Sequence, residues 1–178
     1  MSIYFVRHGQ SEFNAAFTGN GDPLIFDAPL TEFGKLQAKA AREKVAKLGI
    51  SKVITSPLTR AVQTSLHMFD GIAPIEVATG HHELLSHSCD VGRGPKALKK
   101  EFPDLSFDHL DDRWWHHVTG DITEIAIEPE HIFANRIADF VQSLETVATK
   151  PLAIVGHGNA FKQIIGRMME NCEIHRFS

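Results

Sequence analysis

Two short stretches echo each other and constrain the fold more than anything else in the chain. Ile3-Tyr4-Phe5-Val6 runs into Arg7-His8-Gly9, and Leu152-Ala153-Ile154-Val155 runs into Gly156-His157-Gly158. Each is a continuous apolar run, rich in β-branched residues, of the kind that forms a strand covered on both faces. Each stops at a His followed by Gly. In open, mostly parallel sheets, ligands bind outside the carboxyl ends of the strands. If these two strands are neighbours, their histidines face each other across one crevice.

The segments between them alternate in the way such a sheet requires. Thr31 is placed to cap a helix over 31–48, with Glu32 in its first turn and Gly49 as the stop. A strand over 52–56 follows, and Pro57 opens a helix to residue 69 that carries Arg60 in its first turn. A third strand is expected over 75–78. Residues 96–102 read as a short helix, and Trp114-Trp115-His116-His117 as helix or loop. A helical stripe of Ile132, Phe133, Ile137, Phe140, Val141 and Leu144 marks residues 128–146. A helix over 159–170 follows the second His-Gly end, and 173–177 reads as an edge strand. Residues 10–14 and the Gly/Pro-rich stretch 18–29 lack periodicity and read as loop. The expected architecture is α/β in three layers, a mostly parallel sheet with helices on both faces.

The chain has 178 residues, which fits one domain over 1–178 with a substantial core. A net charge of −4 gives no reason to propose nucleic acid or an anionic membrane as partner, so any anion must be held by a local cluster. Two cysteines, Cys89 and Cys172, make neither a disulfide framework nor a metal motif, and a reduced, cytoplasmic setting is expected. No apolar run approaches the length of a membrane span.

The strand ends then deliver Arg7 and His8, Arg60, Glu83 and His157 toward one rim. Two guanidiniums and two imidazoles gathered together call for an anion. The planar fork of Arg matches phosphate oxygens, and a helix starting at Asn159 would add its first amides and its positive dipole end. A dianionic phosphoryl group suits this set better than a carboxylate. Taken alone, a strand-end His beside Gly is more often a structural residue than a nucleophile.

These residues resemble a known family. Arg7-His8-Gly9-Gln10-Ser11-Glu12-Phe13-Asn14 is similar to the Arg-His-Gly motif of the histidine phosphatase, or phosphoglycerate-mutase-like, superfamily. The likeness continues through Asp27, Leu30-Thr31, Gly34 and Gln37-Ala38, then Ser56-Pro57-Leu58 with Arg60-Ala61 and Gln63-Thr64, then Glu83, and finally Gly156-His157-Gly158-Asn159. The blocks stand in the family's order over most of the chain. The resemblance implies that His8 is the nucleophile and forms a phosphohistidine. It implies that Arg7, Arg60, His157 and Asn14 hold the phosphoryl group, and that Glu83 is the proton donor. Glu83 sits in an irregular His-rich loop, where Asp90 is the competing carboxyl. The resemblance implies no metal and no cofactor, and a small phosphomonoester as the substrate.

Within the family the residues favour hydrolysis. Mutases follow the catalytic Glu with an Arg-His-Tyr-Gly run that reads the substrate carboxylate, whereas here Glu83 precedes Leu84-Leu85-Ser86-His87. The chain is also short for a mutase. The loop containing Ser11, Thr18 and Gly19 is mutase-like and supports the alternative, and Arg93 and Lys96 are candidates for the far end of the substrate. A phospho-ligand or partner-binding member with weak catalysis is the second alternative. His81, His82, His87, His116 and His117 follow no common zinc spacing and read as loop or pocket-wall residues. Trp114 and Trp115 read as core or lid, and Phe17 and Phe26 as candidates for the pocket mouth.

Overall fold

The computed structural model describes residues 2–178, and its centre is the strand pair expected from the echo. Strand β1 (Ile3–Arg7) lies parallel to β4 (Leu152–Gly156), with Ile3 opposite Leu152 and Arg7 opposite Gly156. β4 also pairs in parallel with β2 (Lys52–Thr55), which pairs in parallel with β3 (Ile75–Val77). The last strand, β5 (Ile174–Arg176), runs antiparallel on the far side of β1. The order is β3-β2-β4-β1-β5. The two histidines therefore leave the carboxyl ends of the two adjacent inner strands.

Alternation along the strands builds two apolar layers. Val6, Val53, Ala153 and Val155 face helices α2 (Glu32–Ala46) and α3 (Thr59–Phe69) through Ala38, Ala41, Val45, Ala61 and Met68. Ile3, Phe5, Ile54, Leu152 and Ile154 face α5 (Glu130–Thr146) and α6 (Gly158–Ile165) through Phe140, Leu144 and Phe161. Because both faces are buried, these strands read as unbroken apolar runs rather than as alternating ones. Phe5 stacks on Phe161 with ring centroids 4.8 Å apart, which ties β1 to α6.

The helix ends follow their capping chemistry. Thr31 accepts the Gly34 amide at 2.9 Å, a cap whose loss costs about 1 kcal/mol. Gly49, at φ +63°, follows α2 as expected. Gly166, at φ +78°, ends α6 at Ile165, five residues before the helix expected to reach 170, and Met168 and Met169 follow the cap. α5 starts at Glu130, and of its predicted stripe Ile132 and Val141 stay outside the core while Phe133, Ile137, Phe140 and Leu144 are buried. The loop expected over 10–14 is instead a short helix, α1 (Glu12–Ala16). Ser11 accepts the Asn14 amide and the Asn14 side chain accepts the Ser11 amide, a reciprocal capping box. α4 spans Pro95–Glu101, and residues 114–117 form no regular element.

One close approach explains a pair of glycines. A Cβ on Gly9 would lie 2.5 Å from the Gly34 carbonyl oxygen, and one on Gly34 would lie 2.1 Å from the Gln10 carbonyl oxygen. The turn after β1 thus packs backbone to backbone on the start of α2, which only glycine permits. Among the described residues, no helix is long and apolar enough to cross a membrane.

Candidate active site

The turn after β1 is held by side chains from α2 and α3. Gln37 accepts the Gln10 amide at 2.9 Å, Gln63 accepts the Leu30 amide at 2.8 Å, and Thr64 accepts the Gly9 amide at 3.0 Å. These motif residues fix backbone rather than reach into the pocket. The turn closes one side of a small cavity of 150 Å³ lined by Arg7, His8, Asn14, Arg60, Glu83 and Asn159, with Ser11, Phe13, Ser86, His87, Cys89, Asp90, Gly158 and Met168 completing its walls.

His8 is 3% exposed. Its Nδ1 lies 2.6 Å from the Gly9 carbonyl oxygen, so that nitrogen carries the hydrogen and Nε2 carries the lone pair. Arg60 Nε donates to Nε2 at 3.3 Å. Burial, then the Arg60 and Arg7 charges, hold His8 well below the ordinary imidazole value, so the ring is neutral at physiological pH. His157 is fully buried, with its ring centroid 5.3 Å from that of His8. Its Nε2 pairs with Ser56 Oγ at 2.8 Å, and its Nδ1 has no protein partner. Burial, then Arg60 and His8, keep it neutral as well.

Arg60, at the start of α3, is buried against Asp90 at 2.9 Å and donates to the Cys89 carbonyl at 2.6 Å. Asp90 also accepts the Ser86 and His87 amides at 3.2 and 3.1 Å, so both of its oxygens are engaged. Removing either member of such a buried pair leaves an uncompensated charge and costs several kcal/mol. Arg7 donates to the Met169 carbonyl, while the segment 169–173 folds back over the end of β1: Asn171 Nδ2 donates to the His8 carbonyl at 2.8 Å and the Cys172 amide donates to the Arg7 carbonyl at 3.0 Å.

Glu83 is 8% exposed and lines the cavity. Its carboxyl accepts the Asn159 amide at 3.0 Å, the Ala160 amide at 3.1 Å and the Leu84 amide at 2.9 Å. The α6 amides that the sequence offers to an external anion are therefore taken by Glu83. These bonds favour the carboxylate, but burial and the nearby Asp90 outweigh them and raise Glu83 above the ordinary carboxylate value. Of the two competitors, Glu83 has the raised carboxyl, and Asp90 is the one paired with Arg60.

The structure thus brings together Arg7, His8, Ser11, Asn14, Arg60, Glu83 and Asn159 around one cavity, with the His157 ring beside that of His8 but not lining the cavity. It does not bring Thr18, Gly19, Arg93 or Lys96 there. Thr18 and Gly19 lie exposed in the following loop. Arg93 is held by Asp27 at 2.6 Å, Glu101 at 2.8 Å and Thr59 Oγ1 at 2.6 Å, and with Lys96 it borders a different surface depression beside Trp115. Phe17 stands near the rim through its contacts with Phe13 and His87, whereas Phe26 does not line the cavity. His81 and His82 are buried, bound to the Val155 and Thr79 carbonyls, and desolvation lowers them to about 4 and about 3. Among the described residues, no group of three or more His, Cys, Asp or Glu side chains is arranged to hold a metal ion, and both cysteines are free.

The Ser56 contact to His157 and the arm over 169–173 were not foreseen. Ser56 stands at the carboxyl end of β2 and opens the Ser56-Pro57-Leu58 block, but neither signal points to His157 as its partner. The arm acts through backbone carbonyls, which leave no signature in a sequence.

The model of the histidine phosphatase superfamily (branch 1) matches residues 3–178. The chain belongs to the histidine phosphatase superfamily. The protein named "Probable phosphoglycerate mutase GpmB" of Serratia proteamaculans is 43% identical over 65 residues, 36% of this chain and 29% of that protein, so the chain matches less than a third of its length. Phosphoglycerate mutase-like protein 1 of Arabidopsis thaliana is 26% identical over 212 residues, 96% of this chain and 73% of that protein. The fold is shared with a mycobacterial glucosyl-3-phosphoglycerate phosphatase at TM-score 0.63 and 21% identity, over 99% of this chain and 90% of that one. It is shared with a phosphoserine phosphatase from Entamoeba histolytica at TM-score 0.64 and 19% identity, with the same coverage.

Proposed function

We propose that this superfamily member hydrolyses small phosphomonoesters through a phosphohistidine on His8. The observation that carries this reading is the state of His8: buried, neutral, and fixed through Nδ1 so that Nε2 holds the lone pair beside Arg60. An imidazole kept in one tautomer at the floor of a cationic pocket is an activated nucleophile.

The chemistry follows from the surrounding atoms. The phosphoryl oxygens of the substrate take donors from Arg7, Arg60 and Asn14, which line the cavity. His157 does not line it, but its ring lies 5.3 Å from that of His8, and its buried, unpartnered Nδ1 supplies a further donor when protonated there. The long 3.3 Å contact between Arg60 and His8 gives way, because a charged oxygen is the better acceptor. His8 Nε2 attacks phosphorus in line; the P–N bond forms as the bond to the alcohol oxygen breaks, and Glu83 passes its proton to the departing oxygen. Water then attacks phosphorus, Glu83 takes a proton from it, the P–N bond breaks, and phosphate leaves. Positive charge comes from Arg7 and Arg60, so no metal ion takes part in these steps.

The cavity also favours hydrolysis over phosphoryl transfer between glycerates. Apart from Arg7 and Arg60, no Arg or Lys lines it among the described residues, and the remaining walls are supplied by side chains such as Phe13, Ser86, His87 and Met168. A substrate carboxylate finds no free guanidinium or ammonium. Inorganic phosphate release across a panel of small phosphomonoesters tests the reading. Turnover of at least one panel member supports it, saturable binding without turnover favours a phospho-ligand binder, and efficient primer-dependent interconversion of phosphoglycerates replaces it with a mutase.

A further inference from the structure

Glu83 follows an irregular turn, yet the work proposed for it requires placement to within a fraction of an ångström. Its own three hydrogen bonds reach only α6 and the next residue. Besides the His81 and His82 contacts to the Val155 and Thr79 carbonyls, the turn is held by a second ion pair on the other side of the chain. Arg136, on α5, meets Glu128 in a two-pronged contact, Nε to Oε1 at 3.1 Å and Nη2 to Oε2 at 2.7 Å. The remaining prong, Nη1, donates to the Gly80 carbonyl at 3.1 Å and to the His82 carbonyl at 2.9 Å. Glu128 is 3% exposed, and its amide donates to the Leu85 carbonyl at 2.9 Å. The pair therefore grips the backbone on both sides of Glu83: residues 80 and 82 through Arg136, residue 85 through Glu128.

We infer that Arg136, oriented by Glu128, is a positioning residue that sets the Glu83 carboxyl over the leaving-group oxygen. This rests on the proton-donor reading of Glu83 given above. Neither member lines the cavity around His8, and neither belongs to the motif blocks. A surface ion pair would contribute little, but a half-buried guanidinium that satisfies a buried carboxylate and two carbonyls is held in one geometry, and Lys cannot span all three acceptors.

Leaving groups of different basicity separate positioning of the proton donor from general support of the fold. An alkyl phosphate needs a proton on its departing oxygen, whereas p-nitrophenyl phosphate expels a stable phenolate without one. The kcat/KM values of both are measured for the wild type, Glu83→Gln, Arg136→Lys and Glu128→Gln. Arg136→Lys and Glu128→Gln are expected to lower kcat/KM on the alkyl ester by about tenfold or more while changing the aryl ester by less than about threefold, in the same sense as a larger selective loss in Glu83→Gln. Retained aryl turnover serves as the folding control. Equal loss on both esters, or no loss on either, in both clamp variants overturns the positioning role. If Glu83→Gln itself leaves the alkyl-to-aryl ratio unchanged, it is the proton-donor reading that fails. If Glu83→Gln shifts the ratio and the clamp variants do not, only the role of Arg136 and Glu128 fails.

Discussion

His8 and His157 end adjacent parallel strands with the same apolar run, the same His-Gly ending and nearly the same burial, yet their hydrogen bonds differ. His8 spends Nδ1 on its neighbour's carbonyl and turns a lone pair toward Arg60. His157, at the residue before α6, spends Nε2 on the Ser56 hydroxyl and leaves Nδ1 unpartnered. In the proposed mechanism, one partner each separates a nucleophile from a ligand for the phosphoryl group. The strand end sets where a histidine stands; the atom bound to its other nitrogen sets what it can do.

The most severe way to break this asymmetry is to remove His8. His8→Ala is expected to lose about 10³-fold or more in kcat/KM for any phosphomonoester turned over, measured as phosphate release. His157→Ala is expected to lose about 10²-fold while still forming a phosphoenzyme slowly, as rapid-quench measurements would show, because it holds charge and makes no bond to phosphorus. Equal loss of the phosphoenzyme in both variants would erase the distinction.

The pH profile sharpens the difference between the nucleophile and its acid. The proposed mechanism requires neutral His8 and protonated Glu83. Burial, with Arg60 and Arg7, lowers His8, so the acid limb of kcat/KM lies below the ordinary imidazole value. Burial, with Asp90, raises Glu83, so the alkaline limb lies above the ordinary carboxylate value. Beyond each limb the rate falls about tenfold per pH unit, and the alkaline limb disappears in Glu83→Gln.

Much of this site could be read from the residues, and what could not has physical causes. The β1 and β4 runs and the Thr31 cap were legible because apolar period and capping chemistry are local signals, whereas Arg7, His8, Arg60 and His157, far apart in the chain, were gathered only by their strand-end positions and the ordered motif blocks. The extent of α6 was overestimated because Met168 and Met169 continue an apolar pattern that Gly166 interrupts. Arg93 looked available for substrate because its partners, Asp27, Thr59 and Glu101, are far away or inconspicuous in the chain. The clamp between Arg136 and Glu128 acts on carbonyls, which every residue carries and no motif records.

Smaller effects refine the same contrast. Ser56→Ala frees Nε2 of His157 and is expected to lower kcat about fivefold, the kinetic equivalent of one neutral hydrogen bond, with His8 labelling intact. Incubation with a strong chelator is expected to leave phosphate release unchanged, since the arginines supply the positive charge.

The central claim is that His8, and not His157, becomes covalently phosphorylated. It is tested most directly by quenching the enzyme with a radiolabelled phosphate donor and mapping the label by peptide. An acid-labile, base-stable label on the peptide containing His8, present in the wild type and in His157→Ala and absent from His8→Ala, is the expected result. A label that persists in His8→Ala, or that maps to the peptide containing His157, would contradict it.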